Sequence, residues 1–384
     1  MRSDDFALYV HVPWCRHVCP YCDFNVYARA NPPDADYTTA LVRELGAWAE
    51  RAPWRGRRVA SLFVGGGTPS LFAPEAIGRV IDATAQRFGL ADDAEITLEA
   101  NPGTLDAGRL HAYRRAGVTR LSLGVQSFDA GLLRALGRDH TPSEARDAVA
   151  KARDVGIPSV SLDLIFAVPG SDVADWRRDL DEAIALAPDH VSAYALTFET
   201  GTPYDAWRAA GRIHCVDEDT EAAMAELTAS RLPAAGYERY EISSWARAGH
   251  ASRHNQRYWD GSCYLGLGAG AHAFDATPDA PRRWSNVRHP QGYMDAVAAH
   301  GTAVADEHRL TPEEARGDFM FTGLRRLAGV DAHAFVERFG VALRNVFPHV
   351  AGLVREGLVE WGGERLRLTA RGLRFADTVA ATFV

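Results

Sequence analysis

Short apolar runs alternate with longer amphipathic stretches through the first half of the chain. Six runs read as strands: FALYVHVP from Phe6, VASLFVGGG from Val59, EITLEANP from Glu95, RLSLGVQS from Arg120, SVSLDLIFAVPG from Ser159 and HVSAYALTF from His190. Between them lie helix-like segments such as YTTALVRELGAWAE, PEAIGRVIDATAQRF, AGRLHAYRRAG and PSEARDAVAKARDVG. Repeated strand–helix alternation demands parallel strands joined by right-handed crossovers. Six such units suit a barrel, or part of one, better than an open dinucleotide-binding sheet. The glycine cluster follows the second strand rather than the first, and it lacks the G-x-G-x-x-G spacing.

In β/α barrels the chemistry sits where strands end and loops begin. Here each strand carries a polar or glycine residue near that place. Cys15 follows the first strand, and Gly65, Gly66, Gly67 and Thr68 follow the second. Glu99 and Asn101 close the third, Gln126 closes the fourth, Asp163 lies on the fifth, and Thr197 and Glu199 end the sixth. A polar residue on every strand argues for one shared site on one rim.

Beyond about residue 235 the pattern changes. HASRHNQRYWDGSCYLGLGAGAHAF reads as a loop rich in glycine, aromatics and histidine. From Thr311 the chain reads as three helices followed by a hairpin turning at residues 362–363, a winged-helix-like α+β module. The expected organisation is a partial (β/α)6 barrel over residues 1–235, a connecting segment over 236–305 and the C-terminal module over 306–384. Winged modules can bind DNA, but this one carries no strong basic stripe, so packing or partner contact is its expected role.

Composition narrows the classes. The chain has 384 residues, 47% hydrophobic and 24% charged, which suffices for a large core and a second module. A net charge of -8 gives no nucleic-acid footprint, and the short RGRRVA stretch around Arg57 reads as solvated surface. Neither an apolar leader nor a membrane-spanning run is visible, so a cytoplasmic, reducing compartment is expected, with peripheral membrane contact left open. Five cysteines, an odd number, argue against a disulfide framework. Cys215 and Cys263 stand alone and read as ordinary thiols.

The other three, Cys15, Cys19 and Cys22, are clustered in YVHVPWCRHVCPYCDF. A structural zinc site wants four ligands, which His11 or His17 would have to complete, and zinc modules usually split their ligands into separated pairs. An iron–sulfur cube held by three thiolates instead keeps one iron open for a cofactor offering an amine and a carboxylate.

C-x-x-x-C-x-x-C after the first barrel strand resembles the signature of radical S-adenosylmethionine (radical SAM) enzymes, and GGGTPS resembles their glycine motif. The resemblance implies a 4Fe-4S cluster on Cys15, Cys19 and Cys22. It also implies S-adenosylmethionine chelating the open iron and being cleaved to a deoxyadenosyl radical. YVHVPWC, CPYCDF, GGGTPS, EANP, GVQSF, LGRDHT, DLIFAVPG and RHNQRYW fall in the order of the HemN/HemW subgroup and cover nearly the whole chain. By that resemblance Tyr9, Gly66, Gly67, Thr68, Glu99, Gln126, Arg138 and Asp163 bind the cofactor. A carboxylate suits an ammonium or ribose hydroxyls, Arg suits a carboxylate, and glycine lets backbone approach closely.

Within the subgroup, the coproporphyrinogen dehydrogenases carry a fourth cysteine where this chain has Phe24, and a longer N-terminal extension. The haem-chaperone branch carries HNxxYW, spelled here by His254, Asn255, Tyr258 and Trp259. The resemblance therefore implies haem as cargo, haem-accepting respiratory proteins and an electron donor as partners, and cofactor cleavage without porphyrin oxidation. Coproporphyrinogen III dehydrogenation, or another radical reaction on a tetrapyrrole, is the alternative.

Single residues divide between roles. His254 reads equally as an axial haem ligand or as part of a structural turn. His250 and His272 flank it and read as ligands or as ordinary loop histidines. His11 reads as a packed supporting residue. Buried unpaired, Glu99 and Asp163 would be costly, so each implies a charged partner, the cofactor or an Arg. Tyr21 and Phe24 read as shields for the cluster.

Overall fold

The computed structural model describes residues 5–277 and 280–384. All six expected strands form: β1 (Phe6–Val12), β2 (Val59–Gly66), β3 (Leu90–Ala100), β4 (Arg120–Gln126), β5 (Ser159–Phe166) and β6 (His190–Ala195). They lie side by side in that order, every neighbouring pair parallel. β3 begins five residues before Glu95, because Leu90 already pairs with Val59 across a register shift. The connecting helices pack their apolar faces outside the sheet. In the helix Pro74–Arg87 the buried positions Ile77, Val80, Ile81 and Thr84 recur at the three- and four-residue spacing of one helical face. Thr141 with Glu144 and Asp172 with Asp175 form capping boxes that start two of the other helices.

The sheet continues past the barrel strands on both sides. β7 (Glu238–Glu241) and β8 (Ser244–Ala246) add antiparallel beside β6. β9 (Tyr264–Leu267) adds parallel to β1, followed by antiparallel β10 (His272–Asp275), β11 (Arg282–Asn286) and β12 (Val304–Arg309). The order is β12-β11-β10-β9-β1-β2-β3-β4-β5-β6-β8-β7. The sheet is open yet curls far enough for residues of β1 and β6 to line one cavity.

The stretch expected to be a loop over residues 250–274 is instead the helix Arg253–Trp259 followed by β9 and β10. Its glycines serve a tight strand connection. A Cβ on Gly266 would stand 2.0 Å from the His272 carbonyl oxygen, and Gly268 and Gly270 take φ of 99° and 73°. Glu44, on the helix Asp34–Ala49, ties these late strands to the first helix. It accepts from the Gly268 N–H at 3.0 Å, the Tyr293 hydroxyl at 2.7 Å and Asn286 Nδ2 at 2.7 Å. Burial pushes its carboxyl up to about 7.

One hydrophobic core follows the barrel strands and their helices, with Tyr37, Trp54, Tyr113 and Trp176 among its largest members. A second gathers Met320, Phe335, Phe347, Leu366 and Phe383. Around it stand the helices Pro312–Gly323, Ala332–Phe339, Leu343–Val346 and Val350–Arg355, and a three-stranded sheet of β13 (Val330–Asp331), β14 (Val359–Gly362) and β15 (Arg365–Leu368). The hairpin turns one residue later than expected, because Gly362 still pairs with Arg365. The architecture is the partial β/α barrel with a C-terminal winged-helix-like α+β module that the sequence pattern implied. No helix among the described residues is long and apolar enough to cross a membrane.

Candidate functional site

β1 ends at Val12, and the chain enters the cysteine loop through Trp14 and Cys15. The loop is pinned where it returns: Trp14 and Cys15 bridge to Tyr27 and Ala28, and the Arg29 N–H donates to the Cys15 carbonyl at 2.7 Å. Its middle is clasped by later chain. Gly137, at φ 67°, packs so closely on Pro20 that a Cβ would stand 2.6 Å away. His17 Nε2 stands 2.6 Å from the Gly137 carbonyl, and the Tyr204 N–H donates to the Pro20 carbonyl at 3.0 Å.

The GGGT turn after β2 backs onto the start of this loop. The Thr68 N–H donates to the Trp14 carbonyl at 2.8 Å, and a Cβ on Gly67 would meet that same oxygen at 2.6 Å. A Cβ on Gly66 would strike the His11 ring at 2.6 Å. The glycines are thus needed by the chain's own packing, apart from any ligand.

The cluster and cofactor residues implied by the resemblance, together with His254, line a single cavity of about 510 Å³ that opens at the C-terminal ends of the strands. Tyr9, Cys15, Cys19, Cys22, Gly66, Gly67, Thr68, Glu99, Gln126, Arg138, Asp163 and His254 all face it, as do Thr197 and Glu199. Tyr21 and Phe24 border it as well. Gln126 takes φ 68°, a costly conformation for a residue with a side chain, at the register shift that ends β4.

Three observations bear on what this cavity accepts. First, Cys15, Cys19 and Cys22 are all free thiols. Burial raises Cys15 and pushes Cys22 up to about 11, so thiolates here need a cationic partner such as iron. Among the described residues no three metal-ligating side chains converge on one ion, as a mononuclear zinc site would require. The thiolates of a polynuclear cluster, bound to separate metal corners, stand further apart.

Second, Glu99 and Asp163 face the cavity with no cationic side chain within ion-pair distance among the described residues. Glu99 accepts the Gly66 N–H at 2.9 Å, and Asp163 accepts the Ser122 hydroxyl at 2.9 Å. Burial first, and then the charge of Asp163, push Glu99 up to about 8; burial likewise raises Asp163. Two under-compensated carboxyls suit a cationic ligand, such as one carrying an ammonium and a sulfonium.

Third, Arg138 is half-buried. It lines the cavity, donates Nη2 to the Gly124 carbonyl at 2.9 Å, and holds Nη1 3.6 Å from Cys19 Sγ, while its buried Nε has no protein partner.

The histidines separate cleanly. His254 is buried, 1% exposed, with Nδ1 3.0 Å from Ser61 Oγ and Nε2 2.8 Å from the Tyr258 hydroxyl. Burial lowers its ring to about 3. His250 lies at the opposite ends of the strands, with Nδ1 3.2 Å from the hydroxyl of Ser159, the first residue of β5. His11 bonds the Tyr9 hydroxyl at 3.0 Å and the Asn25 carbonyl at 2.9 Å. His272 faces a second cavity, of about 660 Å³, which shares Tyr9, Asp23, Phe24, Gly66, Glu99 and Tyr258 with the first.

Sequence reasoning missed Ser122, Ser161 and Ser192, which line the first cavity from the adjacent strands β4, β5 and β6, and His190, whose Nδ1 stands 2.8 Å from Ser161 Oγ. The signal was available: hydroxyls at inward positions of otherwise apolar strands.

Residues 9–183 match the radical SAM superfamily, and residues 310–375 match the HemN C-terminal domain. The chain is 35% identical to the haem chaperone HemW of Bacillus subtilis, covering 98% of this chain and 99% of that one. With the haem chaperone HemW of Mycobacterium tuberculosis it shares 37% identity over 100% of this chain and 96% of that one. The chain belongs to the HemW family of radical SAM proteins. Coproporphyrinogen III oxidase (HemN) of Escherichia coli, a radical SAM enzyme, shares the fold at a TM-score of 0.84 and 23% identity, over 99% of this chain and 90% of that one. In this HemW-family chain the HNxxYW stretch is a short helix whose histidine is locked against β2, and not an open turn.

Proposed function

We propose that this protein is a haem chaperone that binds haem and delivers it to haem-requiring respiratory proteins, using a 4Fe-4S cluster and S-adenosylmethionine. The observation that carries this reading is the likeness to HemW chaperones along the whole chain. Cys15, Cys19 and Cys22 would hold the cluster. Glu99 and Asp163 would receive the cationic groups of the cofactor, Arg138 its carboxylate, and Gly66, Gly67, Thr68 and Gln126 the remaining edge. Tyr9 closes the wall between the two cavities. When bound, cluster and cofactor supply one-electron chemistry. This chain's own contribution is placement of the cofactor, a buried carboxyl pair that selects for positive charge, and an aromatic wall that limits water. Residues 1–235, 236–305 and 306–384 are proposed as barrel, connecting segment and C-terminal module, and an electron donor and haem acceptors as partners.

The test is anaerobic reconstitution of the full chain, followed by haem titration, transfer to an apo-acceptor, and a parallel coproporphyrinogen III assay. Stoichiometric haem binding with transfer supports the chaperone reading. Useful turnover of coproporphyrinogen III to protoporphyrinogen IX would replace it with the dehydrogenase.

A further inference from the structure

We infer that the second cavity is the haem seat and that His272, rather than His254, supplies the axial nitrogen. This deepens the haem-binding reading above and rests on it. The cavity lies between the outer strands β9, β10 and β11 and the helix Pro312–Gly323 of the C-terminal module. Tyr264, Phe274, Trp259 and Phe319 give it aromatic walls. A flat, largely apolar macrocycle with carboxylates on one edge needs such walls, a metal ligand and cations near the mouth.

Two histidines line the cavity. Both nitrogens of His11 are already bonded, to Tyr9 and Asn25. The His272 ring has neither a hydrogen bond nor an ion pair among the described residues. It stands on β10, two residues before Phe274, so both side chains point from the same face of the strand. Burial, with Arg283 and Arg288 nearby, keeps the ring below its usual value, so it presents an unprotonated nitrogen at neutral pH. His254, by contrast, would have to abandon a buried hydrogen bond to reach a metal.

The cations divide in the same way. Arg283 is committed, to Asp318 at 2.8 Å and to the Tyr264 hydroxyl at 3.2 Å. Arg288 is exposed at the rim, and Arg338 spends its Nη1 on the Gly261 carbonyl at 2.8 Å. Neither has a carboxylate within ion-pair distance among the described residues. Two cations without counter-charges match two propionates.

The experiment titrates haem into the reconstituted full chain and follows the Soret band and the electron paramagnetic resonance signal of the ferric haem. Wild type is expected to show a nitrogen-ligated spectrum. His272→Ala should lose that spectrum and bind at least about tenfold more weakly, and added imidazole should restore the spectrum to His272→Gly. The double variant Arg288→Ala, Arg338→Ala should bind several-fold more weakly with its spectrum unchanged. Unaltered iron content and a cooperative melting transition above the assay temperature identify folded variants, and His272→Gln replaces any His272 variant that fails this check. If the His272 variants keep wild-type spectrum and affinity while His254→Ala loses both, the seat assigned here is wrong. If wild type itself binds no haem, it is the chaperone reading that falls, taking the seat with it.

Discussion

His254 and Tyr258, four residues apart on one short helix, are hydrogen-bonded side chain to side chain at 2.8 Å, and Ser61 on β2 closes the other ring nitrogen at 3.0 Å. The HNxxYW stretch of this chain is therefore a brace. It fixes the helix Arg253–Trp259 to the barrel wall and sets Tyr258 between the two cavities.

Removing the brace should be felt in stability first. His254→Ala leaves the Ser61 and Tyr258 hydroxyls without their partner in a buried setting, a loss of about 1–3 kcal/mol. Urea denaturation would measure it. Tyr258→Phe, which removes only one of the two bonds, should cost less; an equal or greater loss would contradict the two-sided arrangement.

The cysteine loop predicts metal content directly. Anaerobic reconstitution should give about four irons per chain, and Cys19→Ala should abolish them. A triple substitution of Cys15, Cys19 and Cys22 that still holds a full cluster would overturn the assignment.

The buried carboxyl predicts a pH dependence with a definite sign. Glu99 stands raised to about 8, so in the cofactor-free protein the folded state binds its proton more tightly than the unfolded chain does. Its contribution is therefore fully present below the ordinary carboxyl range and is lost as pH rises towards about 8. Glu44 and Asp179, raised to about 7 and about 6, push in the same direction. Glu99→Gln should flatten the fall in unfolding free energy between roughly pH 5 and 8. Superimposable profiles for wild type and variant would remove the assignment.

Glu44 predicts a cost far from the cavity. Three donors from the late strands and the helix Pro290–His300 converge on its carboxyl. Glu44→Ala should destabilise by about 3 kcal/mol, because buried donors lose their acceptor. Chemical denaturation of the variant checks this, and a change below about 1 kcal/mol would mean the clamp is not needed.

Much of this was legible in the chain. β1 to β6 announced themselves as apolar runs, and Cys15, Cys19 and Cys22 as neighbours in sequence, because both signals are local. The polar residues that follow each strand were also legible, since parallel strands send their C-terminal ends to one rim. The outer strands were not. β9 (YLGL) and β10 (HAFD) are four residues each, too short to announce an alternation, and they pair with β1, with β11 and with each other. The committed state of His254 was equally hidden, since Ser61 lies 193 residues away in sequence. The free state of His272 is a property of its surroundings, which no spacing within the chain reports.

The two cavities share a wall of Tyr9, Asp23, Phe24, Gly66, Glu99 and Tyr258. A ligand that settles against one side of that wall changes what the other side offers. Thermodynamic reciprocity then fixes the exchange: whatever factor the cofactor applies to the affinity for cargo, the cargo applies to the affinity for cofactor. Loading and release would be two readings of a single coupling constant, written in the residues of that shared wall.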